Sequence, residues 1–128
     1  MARILTISVA VLAGVVALGG VEALSAANVG AGQQVFKSNC AVCHSDAAKG
    51  GATIGPRLYG VVGRKAGSLA GYKYSKAMQN AGLTWNETNL DKYIADPKKV
   101  IPGDKMPYAG LKDDAKRKAL VEYLATLK

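Results

Sequence analysis

The sequence is poor in the residues from which several classes of site are built. It contains two cysteines, one histidine, one tryptophan and one phenylalanine, and aromatic residues make up 6% of its 128 positions. Two cysteines cannot form a disulfide-rich scaffold, and the length excludes a large multidomain enzyme. Because 49% of the residues are hydrophobic and only 20% are charged, the chain is not wholly disordered. These absences leave one compact domain, alone or with a targeting segment.

Acidic residues are scarce as well. Nine Asp and Glu stand against 17 Lys and Arg, which gives a formal net charge of +8. A small basic protein can bind nucleic acid, an anionic membrane surface or an acidic protein partner. Charge alone does not choose among these three.

The first 27 residues have the three-part layout of a secretory signal peptide. Arg3 supplies the positive start, Ile4–Leu18 is an almost unbroken apolar run, and Ser25-Ala26-Ala27 is a small-x-small cleavage site. The alternative is an uncleaved membrane anchor, which the polar residues within this segment disfavour. We therefore predict that residues 1–27 are removed on export to the periplasm and that residues 28–128 form a single domain.

The remaining residues show helical periodicity and no sustained alternation of apolar and polar residues. The predicted helices are Gly30–Cys43, Lys76–Ala81, Glu87–Ala95 and Asp113–Leu127. Residues 45–74 are rich in glycine and predict a long loop, which in a compact domain indicates that the segment wraps around something. The predicted fold class is all-α with long loops.

The pentapeptide Cys40-Ala41-Val42-Cys43-His44 is the strongest signal in the sequence. C-x-x-C-H is the attachment motif of c-type haem. On a helix, Cys40 and Cys43 lie on one face and can each form a thioether with a haem vinyl group, while His44 can place a ring nitrogen on the iron. A covalent haem would also supply core to a domain of about 100 residues, which is only marginally stable unaided.

Three other kinds of site use cysteines at this spacing. A redox-active dithiol requires a βαβ context, which the sequence does not predict. Structural zinc requires four ligands, whereas two cysteines and one histidine supply three. A short disulfide with an unrelated histidine is compatible with export. The haem motif accounts for all three residues and is the favoured interpretation.

An iron bound by His44 either takes a sixth ligand or keeps an open position. No second histidine exists, so methionine is the candidate, being soft and neutral. Met78 lies in a predicted short helix, where core packing is expected. Met106 lies in a stiff, proline-flanked loop that can hold a ligand at low entropic cost, which favours it. An open position would instead indicate a haem enzyme or a gas sensor, such as a small peroxidase.

Residues Gly30–Lys128 resemble a class I c-type cytochrome, of the soluble bacterial cytochrome c2 and mitochondrial cytochrome c group. The matching blocks come in family order: Cys40–His44, Gly55–Arg64, Thr84-Trp85, Tyr93, Pro97–Lys99, Pro102–Met106, Leu120 and Tyr123. The resemblance implies a small all-α fold whose N- and C-terminal helices cross and whose helices and long loops wrap one covalently bound haem. It implies thioethers from Cys40 and Cys43, and His44 and Met106 as axial ligands of the iron.

The resemblance also implies residues that support these ligands. The carbonyl of Pro56 is expected to accept a hydrogen bond from His44, and the hydroxyl of Tyr93 is expected to reach the Met106 sulfur. A buried haem propionate requires compensating donors. Those donors are expected to come from Arg64, Tyr74 and Trp85.

Three positions depart from the family pattern. Asp104 stands where a threonine often donates to a haem propionate, and an acid there is expected to face solvent or to be paired. Met78 replaces a polar asparagine of mitochondrial members, which implies a different buried hydrogen-bond arrangement near Tyr93. Asn39 replaces a lysine common in mitochondrial members and can alter partner contacts.

An iron with both axial positions filled has no site for substrate, which favours a one-electron carrier over an enzyme. We expect a soluble, monomeric, periplasmic carrier of positive potential in a respiratory or photosynthetic chain. Its expected partners are acidic redox proteins: a bc1-type complex, a terminal oxidase, a photosynthetic reaction centre or a reductase. Export disfavours nucleic acid, and signal cleavage leaves no stable membrane insertion. The lysines expected to steer these partners are Lys37, Lys98, Lys99, Lys105 and Lys112.

Overall fold

The computed structural model describes residues 20–128, and in that range the chain forms five helices joined by loops. The helices are α1 (Gly20–Asn39), α2 (Lys76–Gln79), α3 (Glu87–Ala95), α4 (Pro97–Val100) and α5 (Asp114–Ala125). Within these residues there is no strand, and one isolated antiparallel bridge joins Lys65 to Thr84. The predicted all-α class is therefore confirmed. Of the predicted signal peptide, residues 1–19 lie outside the described range.

Short polar side chains cap the start of three of the helices. The side chains of Ser75, Asn86 and Asp113 each accept a hydrogen bond from the amide three residues further on, at 3.1, 2.7 and 3.0 Å. Each bond satisfies one of the unpaired N–H groups at a helix start. α2 and α5 end two residues earlier than predicted, while α3 has the predicted bounds.

Pro97 also begins a helix, which the sequence pattern did not predict. α3 ends before it, as expected, and Pro97 then opens the short helix α4. Proline suits the first helical position because its missing N–H would be unpaired there anyway. The Asp96 side chain caps this helix by accepting from the amide of Lys99 at 3.3 Å.

α1 differs from the prediction at both ends. It already includes Gly20, the first described residue, whereas the prediction began at Gly30, and it ends at Asn39, before the cysteine motif. The expectation that Cys40 and Cys43 share a helix face was wrong. The amides of Cys40 and Ala41 both donate to the carbonyl of Phe36, at 2.8 and 3.0 Å, so the helix gives way to hydrogen-bonded turns at this point. Apolar periodicity does not report where a C-terminus unwinds in this way.

α1 and α5 cross with close backbone contact, which agrees with the predicted crossing of the terminal helices. A Cβ atom added to Gly32 would lie 1.9 Å from the carbonyl oxygen of Ala119 and 2.7 Å from Cβ of Tyr123. The rings of Phe36 and Tyr123 pack beside this point, with centroids 5.9 Å apart. Leu120, which is 1% exposed, completes the contact. Glycine is required here because only hydrogen fits between the two helices.

The glycine-rich segment 45–74 contains no helix and is held to the rest of the chain by main-chain hydrogen bonds. The amide of Gly60 donates to the carbonyl of Leu127 at 2.7 Å, and that of Gly63 donates to the carbonyl of Trp85 at 2.6 Å. The segment therefore lies against both α5 and the residues that precede α3. Between Gly20 and Lys128, no helix combines the length and the apolar content that crossing a bilayer requires.

Candidate functional site

The two cysteines lie in the turns that follow α1. Both are half-buried and neither forms a disulfide. Burial, with a smaller contribution from neighbouring Cys43, raises the pKa of the Cys40 thiol to about 11. A redox dithiol and a zinc ligand both act as thiolates, so this environment disfavours those two uses of Cys40. The described residues also contain no group of three or more potential side-chain ligands that could hold a metal ion by themselves.

His44 follows directly and is oriented from one side. Its Nδ1 lies 2.7 Å from the carbonyl oxygen of Pro56. A carbonyl can only accept, so the proton sits on Nδ1 and the lone pair remains on Nε2. Burial lowers the pKa of His44, and the bond to Pro56 opposes this shift. The imidazole is thus prepared as a neutral nitrogen ligand whose free nitrogen is Nε2.

Gly55 allows this close approach of the loop to the imidazole. A Cβ atom added at Gly55 would lie 2.6 Å from Cε1 of His44 and 2.8 Å from its Nδ1. The loop is fixed in place because the amide of Gly55 and the hydroxyl of Thr53 both donate to the carbonyl of Cys43, at 2.7 and 2.5 Å. The cysteine turns and the Gly55 loop therefore form one hydrogen-bonded unit around the ring.

The two candidate methionines occupy different elements. Met106 lies in the loop between α4 and α5, and Met78 lies in α2. Both are half-buried and pack against the core. The hydroxyl of Tyr93, from α3, lies 4.0 Å from the Met106 sulfur, at the outer limit of a hydrogen bond to sulfur. The proximity of Tyr93 to Met106 implied by the family resemblance is present, but the contact is weak.

The hydroxyl of Tyr93 has a stronger partner in Asp104, to which it donates at 2.5 Å. Asp104 is 6% exposed, and its carboxylate is also bound by the ammonium of Lys98 at 2.5 Å. Burial, and then the bond to Asp104, raise the pKa of Tyr93 well above its ordinary value. The expectation that an acid at position 104 would face solvent or be paired is met by pairing. Its partners could not be identified from the sequence, where the only signal was an acid in place of a threonine.

Of the residues expected to bind a propionate, Trp85 lies beside Tyr93, while Arg64 and Tyr74 lie in the glycine-rich segment 45–74. Trp85 is buried, with its ring centroid 4.9 Å from that of Tyr93. The hydroxyl of Tyr74 accepts from the amide of Leu69 at 3.3 Å. Arg64 uses one guanidinium N–H to donate to the carbonyl of Arg57 at 3.0 Å. Arg64 is half-buried and has four further N–H donors, so it retains donors for a buried anion.

The lysines expected to steer partners are all exposed, but their ammonium groups differ in environment: Lys37, Lys98, Lys99, Lys105 and Lys112. The ammonium of Lys98 binds buried Asp104. That of Lys105 lies 4.7 Å from the ring centroid of Tyr72, and that of Lys112 lies 3.9 Å from the carboxylate of Asp96. Ion pairing therefore offsets part of the positive charge expected on this surface.

Comparison with known proteins gives concordant results. The family model for cytochrome c matches residues 29–128. Cytochrome c2 iso-2 of Magnetospirillum molischianum is 56% identical over 90 residues, which are 70% of this chain and 91% of that protein. Cytochrome c2 of Rhodomicrobium vannielii is 48% identical over 95 residues, 74% of this chain and 75% of that protein. Among solved structures, cytochrome cH from Methylobacterium extorquens superposes with a TM-score of 0.70 at 41% identity, covering 77% of this chain and 97% of that one.

Proposed function

Since this chain belongs to the cytochrome c family, whose members carry electrons on one covalently bound haem c and are not enzymes, we propose that residues 40–44 and Met106 hold that haem. Cys40 and Cys43 form the thioethers. His44 and Met106 would hold the iron through an imidazole nitrogen and a thioether sulfur. The observation that carries this proposal is the orientation of His44, whose Nδ1 is bound to Pro56 at 2.7 Å and whose Nε2 is left for a metal.

The residues present fit a haem in three respects. The missing Cβ of Gly55 leaves room for the imidazole ring beside the loop, since an added Cβ would lie 2.6 Å from the ring. Haem c requires two thiols for covalent attachment, and its iron requires two further ligands. The two cysteines supply the thiols, and an imidazole and a thioether supply the ligands. We assign the surface for the macrocycle to partly buried apolar side chains that pack against the core: Leu58, Ala77, Met78, Leu83 and Leu111.

When bound, the haem supplies an iron that takes up or releases one electron as it changes between the ferric and ferrous states. The chain controls this property in three ways. The bond from His44 to Pro56 fixes the ring and increases its basicity. Thr53 and Gly55 hold the loop rigid against Cys43, which limits rearrangement between redox states. With His44 and Met106 both holding the iron, no coordination site would remain for a substrate, so the protein would only pass electrons.

An absorption spectrum tests the ligand assignment. The ferric protein should show the weak near-infrared band of sulfur-to-iron charge transfer. We expect Met106→Ala to abolish this band and to lower the reduction potential, because a thioether favours the ferrous state. Met78→Ala is the matched control, since Met78 is equally half-buried, and it should retain the band. A colourless protein, a mass without the added haem, or loss of the band in Met78→Ala alone would each contradict the assignment.

We assign the propionate contacts to Arg64, Tyr74 and Trp85. Arg64 is half-buried and uses one of its five N–H donors within the chain. The Tyr74 hydroxyl accepts from Leu69, which leaves its own proton to donate. Trp85 is buried beside Tyr93 and carries a donor-only indole N–H. Three donors suit an anion that is costly to bury unpaired.

We propose further that the protein is a monomer and exchanges electrons with acidic redox proteins, for which a bc1-type complex, a terminal oxidase, a reaction centre or a reductase are the candidates. The lysines named above steer them by long-range attraction. Lys99→Glu tests this better than any change at Lys98, which would disturb Asp104. At low ionic strength Lys99→Glu should slow electron exchange with an acidic partner several-fold, whereas Lys118→Glu, on α5, should have little effect. Equal rates for native protein and Lys99→Glu would exclude steering by this residue.

We also propose that residues 1–27 are a cleaved signal peptide and that residues 28–128 function in the periplasm. The side chains of residues 22–27 are all exposed, and the buried positions of α1 begin at Gly32. Residues 22–27 therefore add nothing to the core, and the family match begins at residue 29. Mass spectrometry of the protein from a periplasmic fraction should show a new N-terminus near Asn28. An intact N-terminus in a membrane fraction would indicate an uncleaved anchor.

A further inference from the structure

The hydroxyl of Tyr93 has one proton and two acceptors within reach. The carboxylate oxygen Oδ2 of Asp104 lies at 2.5 Å and the sulfur of Met106 at 4.0 Å. A bond from O–H to a carboxylate is short and about twice as strong as one between neutral groups, whereas thioether sulfur is a weak acceptor. The Tyr93 hydroxyl therefore donates its hydrogen bond to Asp104, and its contact with the sulfur is weak.

Asp104 is fixed in this position by a third residue. The ammonium of Lys98 lies 2.5 Å from the other carboxylate oxygen and 2.5 Å from the main-chain carbonyl of Asp104. The Asp104 side chain is 1% exposed, while that of Lys98 is 52% exposed. A buried carboxylate is tolerated when it is paired and hydrogen-bonded. Tyr93 and Lys98 together satisfy both oxygens and hold the carboxylate towards Tyr93.

We propose that Asp104 is a positioning residue that keeps the Tyr93 hydroxyl proton away from the Met106 sulfur. The inference rests on the proposed role of Met106 as a ligand of the iron. A hydrogen bond to the sulfur would withdraw electron density from the ligand and so disfavour the ferric state. By accepting the hydrogen bond from Tyr93, Asp104 leaves the sulfur electron pair to the metal and lowers the reduction potential.

The negative charge of Asp104 would lower the potential as well, since it too favours the ferric state. A single substitution at Asp104 therefore removes two effects at once and cannot separate them. A pair of measurements on Tyr93 can separate them. The charge at position 104 is the same before and after Tyr93→Phe within either background, so its contribution cancels from the comparison.

The experiment is a double-mutant cycle read by reduction potential and by the energy of the near-infrared sulfur-to-iron band. In the native background, Tyr93→Phe should shift both quantities little, because the lost hydroxyl was bound to Asp104. In the Asp104→Ala background, the hydroxyl is free to donate to sulfur. There Tyr93→Phe should lower the potential and move the band, several-fold more than in the native background.

Equal shifts in the two backgrounds would overturn the proposal, because Tyr93 would then act on the sulfur independently of Asp104. If Asp104→Ala does not fold, the native background alone decides: a large shift on Tyr93→Phe refutes the proposal. Failure of the underlying ligand assignment gives a different result, namely a near-infrared band that survives Met106→Ala. A band that depends on Met106 while the Tyr93 shifts are equal would reject only the role of Asp104.

Discussion

Two regions of this protein are built in opposite ways. The helical region, α1 with α5, packs side chain against side chain, and five of the twelve residues of α5 are buried. The loop region, residues 45–74, buries only Gly55, Val61 and Ala66. The helical region therefore supplies five of the eleven residues of the buried core cluster, whereas the loop region supplies two. We therefore expect the order of the loop region to depend on the haem that members of this family carry.

The largest difference between the two regions is expected when haem attachment is prevented. In a Cys40→Ala, Cys43→Ala protein purified without haem, we expect the loop region to lose its order while α1 and α5 keep partial helicity. Hydrogen exchange should show it, because amides such as Gly60 and Gly63 should lose protection while those of α5 retain some. Equal protection of both regions with and without haem would show that the loops are stable by themselves.

The helical region should be most sensitive where its backbones touch. Gly32→Ala places a Cβ 1.9 Å from the carbonyl oxygen of Ala119, so α1 and α5 must separate. We expect a loss of about 3 kcal/mol in the free energy of unfolding, measured by denaturant titration of the holoprotein. Gly30→Ala is the matched control on the same helix, with no atom within 4 Å, and should be neutral or stabilising by up to about 1 kcal/mol.

The loop region should be most sensitive beside the imidazole. Gly55→Ala directs a Cβ at His44, 2.6 Å from Cε1, and should shift the ring from its bond to Pro56. We expect a loss of about 2 kcal/mol in stability together with an altered haem absorption spectrum. Gly51→Ala, in the same loop with no atom within 4 Å, should change neither. An unchanged spectrum in Gly55→Ala would mean that the loop moves and not the ring.

The smallest effect concerns a bond that joins the two regions. The hydroxyl of Tyr123, on α5, donates to Asp46 at 2.5 Å, and Tyr123→Phe should cost about 1 kcal/mol. Burial and then this bond raise the pKa of Tyr123. Above its ordinary pKa of about 10, the unfolded chain releases the proton that the folded chain keeps, so stability falls as the pH rises. Denaturant titrations between pH 8 and 11 should show a shallower fall in Tyr123→Phe than in the native protein.

Local features of the sequence were sufficient for much of the fold. The helices capped by Ser75, Asn86 and Asp113 begin within one residue of their predicted starts, because a capping bond spans only three residues. The family, the fold class and haem c as the cofactor are confirmed by the comparisons. The C-terminal end of α1 was predicted wrongly. The helix ends where the amides of Cys40 and Ala41 both donate to the carbonyl of Phe36, and the pattern of apolar residues does not reveal such a shared hydrogen bond. The short helix α4 was also missed.

The sequence alone determined that Cys40, Cys43 and His44 lie together, since residues so close in the chain cannot be far apart in space. It could not determine that Asp104 turns inward to Tyr93 and Lys98, or that Lys98 and Lys112 pair with acids while Lys99 has no ion pair among the described residues. Those outcomes depend on how α3, α4 and the Met106 loop pack. Burial makes an unpaired charge costly, so packing decides which charges are paired and which stay in water.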